Sequence, residues 1–539
     1  MKKTHIEKGE CVNYYLKPNI KIEPLIWKWY AWTYLIPPLS AGCNIVERNL
    51  KIMKSYVQFP KIHEQAIKNP DMMGGPFMEL DEQHIGLVKN LINETEKDCA
   101  IYIELSNDLK DFQRMLQKEA IGNSLEPFYD KTPESLKGLV ELVYDTENHP
   151  QVLLIEKLIY DKYYSNKGQS ISLSPIESDK RPFIMSTPRV LTNNELNITI
   201  PFISTVWDEL FKSKQEPTDI KNLADKLNVQ GNDMEYFKSL FTDVVPQKKP
   251  DRNYAGNEIR VRYFGHACVL LQTKNISIIT DPVISYDIPG KTGTRYTYID
   301  LPDTIDYVLL THNHQDHIMF ETLLQIRHKV KTVIVPRNRK GALEDPSLKL
   351  ILNKIGFKDV IEIDNLESID IPHGEIIGTP FLGEHSDLNV QAKTAHFIKL
   401  KDKKFLLAAD SNNLSPKMYE YLFEYLGGID VLFLGMECDG APLTWLYGPL
   451  LSQPLKRSFD NERQLSGSNY EKAWAIAKES KCTQAYVYAM GMEPWLTYIM
   501  ALQYKDDSIQ MLESKKFVEN CIKNNIESEI LFMKRELLV

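Results

Sequence analysis

The chain has 539 residues, is 43% hydrophobic and 25% charged, and carries a formal net charge of −9 with an isoelectric point near 5.8. This is an ordinary globular composition with length for about three or four domains of ~150 residues, and its acidic balance excludes nucleic acid as the main partner. Seven dispersed cysteines with no Cys-x-x-Cys pair exclude a disulfide framework and a thiolate zinc site, and fit a reducing cytoplasm.

The first residues, Met1-Lys2-Lys3-Thr4-His5-Ile6-Glu7-Lys8, have no apolar run, so no signal peptide is expected. The most apolar early stretch, 24–39, contains Lys28, Pro37 and Pro38 and is too short to span a bilayer. No membrane partner is expected. Residues 23–32 are dense in aromatics and read as core or subunit-interface filling rather than a cofactor box. Asp71-Met72-Met73-Gly74-Gly75-Pro76 reads as a turn. Amphipathic periodicity predicts helices over 81–98, 107–119, 133–143 and 218–243.

The polar, proline-flanked run 246–253 reads as part of a linker over 246–258. It divides a mixed α/β unit, 1–245, from a second unit, 259–539. There the pattern turns to short β runs at 259–263, 269–272, 276–280, 307–310, 332–335, 360–363, 396–400, 405–409 and 431–434. Helical stretches fall at 319–328 and 345–356. Many strands with interspersed helices predict an α/β class of two packed sheets covered by helices. Further on, 470–480 reads as a helix, 484–490 as a strand and 491–495 as a turn.

The loop Thr311-His312-Asn313-His314-Gln315-Asp316-His317 follows the apolar run Tyr307-Val308-Leu309-Leu310. In an extended segment His312 and His314 point the same way. They can hold one metal, while Asp316 and His317, past the turn, can face a second. Two metals at roughly 3.5–4 Å need such a split set of ligands. The alternative is a polar loop with incidental histidines. Two later clusters can complete the set: Glu384-His385 within 382–387, and Asp410 at the end of the run Leu406-Leu407-Ala408-Ala409. Asp410 suits a bridging role, with a helix cap or Asx-turn as the alternative. Glu437 follows another strand-like run. No histidine follows His396. The candidate set is therefore His312, His314, Asp316, His317, Glu384, Asp410 and Glu437. Carboxylate-rich N/O sites favour iron or manganese, although zinc also accepts Asp and Glu.

The second unit resembles the metallo-β-lactamase superfamily, an αββα sandwich with a bimetal site at one edge of the sheets. Phe264-Gly265-His266-Ala267-Cys268 and Ile279-Thr280-Asp281-Pro282 resemble its first strands and early aspartate motif. There Asp281 would support the site and His266 would not be a ligand. Dizinc hydrolases of the superfamily carry a last histidine after the bridging aspartate, which this chain lacks. Within the superfamily the set resembles the diiron β-hydroxylases of nonribosomal peptide biosynthesis. They have a large N-terminal domain and a glutamate in place of the third histidine, and their start resembles Trp29-Tyr30-Ala31-Trp32. The resemblance implies two iron ions in an oxo-bridged centre: His312, His314 and Glu384 on one, Asp316 and His317 on the other, Asp410 between them and Glu437 able to approach. It implies a monooxygenase that hydroxylates the β-carbon of an amino acid held as a thioester on a peptidyl carrier protein of a peptide synthetase. O₂ and an electron donor would serve the reaction, and a homodimer would form through the N-terminal domain.

Three further expectations follow. Lys331, Arg337, Arg339 and Lys340 could meet an acidic carrier domain, or simply form a solvated cluster. Residues 441–449 could wall a substrate cavity or merely pack on the sandwich. The competing functions are a dizinc hydrolase of an ester, amide or phosphodiester, with His385 rather than Glu384 as ligand, and a partner-binding module with a vestigial site.

Overall fold

The structure is a computed structural model and describes residues 13–69, 72–190, 194–247, 249–291, 293–338, 341–501 and 503–539. Residues 1–8, Asp71, Arg339 and Lys340, on which expectations above fall, lie outside the described residues.

Two seven-stranded sheets form the frame of the C-terminal part. The first runs Val360–Ile363, Val330–Pro336, Ile305–Leu309, Ser277–Thr280, Cys268–Gln272, Arg260–Gly265 and Arg535–Leu538. Its first four strands are parallel and the others antiparallel. The second runs Ser368–Ile371, Gly374–Thr379, Ala395–Leu400, Lys403–Leu407, Val431–Gly435, Gln484–Tyr488 and Glu527–Ile530, with the last four parallel. Strands buried on both faces read as continuous apolar runs, and these do. Leu309 and Ile334 of the first sheet meet Phe405, Leu407, Val431 and Phe433 of the second in one core. The outer faces carry helices: Phe320–Ile326 and Leu348–Lys354 on one side, Pro416–Leu426, Tyr470–Ser480 and Ile509–Lys523 on the other. This is the expected αββα sandwich. The closing strand Arg535–Leu538, and the hairpin Ser368–Ile371 with Gly374–Thr379, were not among the predicted strands.

The N-terminal part is mixed. Residues 23–32 form the strands Ile20–Ile26 and Trp29–Tyr30 of a four-stranded sheet, and Trp29, Tyr30 and Trp32 are buried in the core. Helices Ile85–Asp98 and Ala100–Glu119 lie where periodicity places them. Two predictions fail. Over 133–143, Gly138 adopts a left-handed φ of +73° and ends the turns after Pro133, and Val140–Tyr144 is a strand paired with Pro150–Leu154. The alternation Val140, Leu142, Tyr144 outcompetes the helical spacing once a partner strand exists. Over 218–243, the positive φ of Asn228 and Gly231 splits one helix into Ile220–Lys226 and Asp233–Ser239.

A buried polar network fastens this part to the helix just after the metal loop. Arg181 donates to Glu321 Oε1 and Oε2 at 3.0 and 2.8 Å and to Glu23 Oε1 at 2.6 Å. Tyr30, Tyr286 and Tyr498 also donate to Glu321. Arg189 and Lys21 share Glu23. All of these acids and arginines are nearly inaccessible to water.

Candidate metal centre

The loop 311–317 leaves the carboxyl end of Ile305–Leu309, between parallel neighbours. Asp410 and Glu437 leave the carboxyl ends of Lys403–Leu407 and Val431–Gly435 in the facing sheet. Ligands in open α/β sheets collect at that edge, so the topology brings three distant segments together. Gly435 permits the approach: a Cβ there would meet Asp410 Oδ1 at 2.8 Å.

Asp281 organises the loop. It accepts from Thr311 N at 2.9 Å, from Thr311 Oγ1 at 2.6 Å and from His317 Nδ1 at 2.8 Å. With Nδ1 thus committed, His317 presents Nε2 inward, 2.8 Å from Asp410 Oδ2 and 3.4 Å from Asp316 Oδ2. His312 Nε2 lies 3.0 Å from His314 Nδ1 and 3.6 Å from Asp410 Oδ2. His314 Nδ1 lies 3.6 Å from Glu384 Oε1. His312, His314, Asp316, His317 and Asp410 are buried, and the Glu384 side chain is about one-tenth exposed. Glu437 interacts electrostatically with Glu384, Asp410 and Asp316. All seven predicted site residues therefore converge.

Three residues that the sequence reading left outside the ligand set also stand at the site. Tyr447 Oη lies 2.9 Å from His314 Nε2. His266 Nε2 lies 2.9 Å from Asp316 Oδ2. His385 comes within ligand range of His312 and His314, its Nε2 buried without a hydrogen-bond partner. The sequence signal for Tyr447 was present in the aromatic run after Glu437; nothing local pointed to its partner.

The donors fit metal ions. His317 Nε2 and Asp410 Oδ1 are buried without hydrogen-bond partners, although His317 Nε2 sits 2.8 Å from a carboxylate oxygen. Buried polar atoms are ordinarily hydrogen-bonded, and atoms aimed at one point without bonding each other are what a shared cation requires. Three overlapping groups whose ligand atoms lie within 4.8 Å of one another occur among the described residues: His312-His314-His385, His312-His317-Asp410 and His266-Asp316-His317. The electrostatics agree. Burial, with Asp410 and neighbouring carboxyls, pushes Glu384 and Glu437 well above the usual carboxylate range. Burial lowers His314 to about 4 and holds His312 and His385 well below the ordinary value. Burial also pulls on His317, but Asp410, Asp316 and Asp281 outweigh it and hold it high. Four acids crowded together, Asp316, Glu384, Asp410 and Glu437, need compensating positive charge.

Backbone strain clusters here too. His266, Asp281, Glu384 and Ala409 have φ values of +51°, +34°, +66° and +47°. A non-glycine residue pays on the order of 1–2 kcal/mol for that conformation. In return Asp281 and Glu384 reach inward. Of the four cations read as a solvated cluster or a carrier-docking patch, Lys331 pairs with Asp306 and Arg337 with Glu367.

A β-lactamase superfamily domain accounts for 260–386, and residues 15–244 match the diiron non-heme β-hydroxylase N-terminal domain. Over 535 residues the chain is 35% identical to the 4-amino-L-phenylalanyl-[CmlP-peptidyl-carrier-protein] 3-hydroxylase of Streptomyces venezuelae, covering 98% of this chain and all of that one. The crystal structure of CmlA, a diiron β-hydroxylase from the same organism, superimposes with a TM-score of 0.92 at 34% identity, again over 98% of this chain and all of the other. The chain belongs to the diiron non-heme β-hydroxylase family, enzymes built on the metallo-β-lactamase fold.

Proposed function

We propose that this enzyme hydroxylates the β-carbon of an aminoacyl group held as a thioester on a peptidyl carrier protein, using O₂ and two electrons from a donor. The carboxylate-rich edge carries the reading: Glu384 and Glu437 stand beside Asp410 and Asp316 where a dizinc hydrolase relies on imidazole. Anionic oxygen donors suit iron. When bound, two iron ions supply the activation of O₂. His312, His314 and Glu384 would hold one, Asp316 and His317 the other, and Asp410 would serve as a shared ligand. Asp281 fixes the orientation of His317, His266 that of Asp316 and Tyr447 that of His314. Outer partners of this kind set ligand orientation and basicity. Burial and the neighbouring carboxylates raise the affinity of Glu437 for a proton, and a bound cation would offset that crowding. The N-terminal domain, 1–245, serves dimerisation or contact with the carrier protein and its substrate, and the enzyme works in the cytoplasm as a homodimer.

One observation favours the hydrolase reading: His385 stands close enough to His312 and His314 to replace Glu384 as ligand. Metal analysis of two variants separates them. Glu384→Ala is expected to lose iron, and His385→Ala to retain two irons with ferric absorption. A zinc-loaded protein in which Glu384→Ala keeps its metal would refute the oxygenase reading.

A further inference from the structure

A cavity of about 830 Å³ is lined by none of the seven candidate metal ligands. It lies between the N-terminal helices and the segment 444–455 that follows Glu437. Its charge is opposite to that of the whole chain. Arg48, Lys51, Lys110 and Arg114 line it, with Glu47 the sole lining acid, whereas the chain carries −9 overall.

Arg48 is the informative residue. Its side chain is buried, and among the described residues no carboxylate pairs with it. It donates only to neutral oxygens: Asn44 Oδ1 at 2.9 Å and the carbonyls of Trp445 and Leu446, both at 2.8 Å. A buried guanidinium without a counter-ion is costly unless an anion joins it. Lys110 is similar: it is mostly buried, donates to the carbonyls of Pro449 and Leu451, and has Glu47 only at 3.8 Å. Lys51 and Arg114 stand at the mouth. They pair there with Glu47 and with exposed Asp111, contacts that water screens and that an incoming anion can displace. Guanidinium and ammonium groups around one concavity are the chemistry that recognises phosphate.

The cavity is also wired to the metal centre. The helix Leu443–Tyr447 is the wall between them. Arg48 holds the carbonyls of Trp445 and Leu446, Trp445 faces the cavity, and the next residue, Tyr447, bonds His314.

We propose that this cavity binds the phosphate of a 4′-phosphopantetheine arm, so that the carrier's tether enters beside Trp445 and delivers its thioester past Tyr447. The assignment rests on the carrier-tethered substrate proposed above, and it names the groups that recognise the tether. It also predicts that Arg48 gains its missing counter-ion when the loaded carrier binds.

Calorimetric titration of the iron-loaded, full-length protein tests it, with 4′-phosphopantetheine, pantetheine and inorganic phosphate as probes. Phosphopantetheine is expected to bind about tenfold or more tightly than either of the others, and more weakly as salt rises. Lys51→Glu combined with Arg114→Glu alters two exposed side chains and should leave the fold and iron content intact. It should weaken phosphopantetheine binding at least about tenfold and raise KM for the aminoacyl carrier. Equal binding of pantetheine and phosphopantetheine, or an unchanged affinity in the double variant, would overturn the assignment. Tight, Lys51- and Arg114-dependent binding in an enzyme that hydroxylates no carrier-tethered substrate would keep the phosphate site and sink the proposed function.

Discussion

Replacing Arg181 with methionine should uncouple the N-terminal part from the metal-bearing sandwich. The change keeps length and apolar volume but deletes the charge between Glu23 and Glu321. Removing one partner of a buried ion pair typically costs 3–5 kcal/mol, because the other charge stays buried. Here the residue leaves two acids behind, but neither is bare. Glu321 keeps three tyrosine hydroxyls, and Glu23 keeps Arg189 and Lys21. The guanidinium also sits 3.5 Å over the ring of Tyr498, a contact worth about 1 kcal/mol when desolvated. The lower end of the range, about 3 kcal/mol, follows. Urea unfolding read by circular dichroism measures it. A double-mutant cycle with Glu321→Gln sharpens it, since neutralising the acid should recover part of the loss. Hydrogen exchange should quicken in the helix Phe320–Ile326, which carries Glu321 four residues after His317. A loss below about 1 kcal/mol, or strict additivity in the cycle, would show that the network does not hold buried uncompensated charge.

Two further outcomes test the site and the fold. Tyr447→Phe removes the hydrogen-bond partner of His314 Nε2 and should weaken metal affinity about 10- to 100-fold while the protein stays folded, as a chelator competition would show. Glu156 is pushed up to about 7 by burial, against 4.5 in the open chain, with Ser347 N bonded to it and Asp345 nearby. Its folded value is the higher one, so its stabilisation is complete below pH 4.5 and fades as pH rises through 7. The side chain is partly exposed, which trims the effect to about 2 kcal/mol. Glu156→Gln should therefore be more stable than wild type at pH 8 and equal to it near pH 4.5; equal stability at both values would refute the shift.

Much of this enzyme is set locally. The strands 431–435 and 484–488 are legible because both faces are buried and, after Gln484, every residue is apolar or aromatic, so no partner is needed to recognise them. The loop 311–317 is legible because its ligands lie within six residues and period two orients the first pair. The absence of histidine beyond His396 already separates the site from a zinc hydrolase's. What tertiary structure alone decides are relations between segments far apart in sequence. Helix against strand at 133–143 was settled by a partner strand and one glycine's left-handed φ. The approach of Tyr447 to His314 depends on a segment 133 residues away. The unpaired charge of Arg48 is invisible in sequence, because an arginine shows its counter-ion, or the lack of one, only when the chain has closed around it.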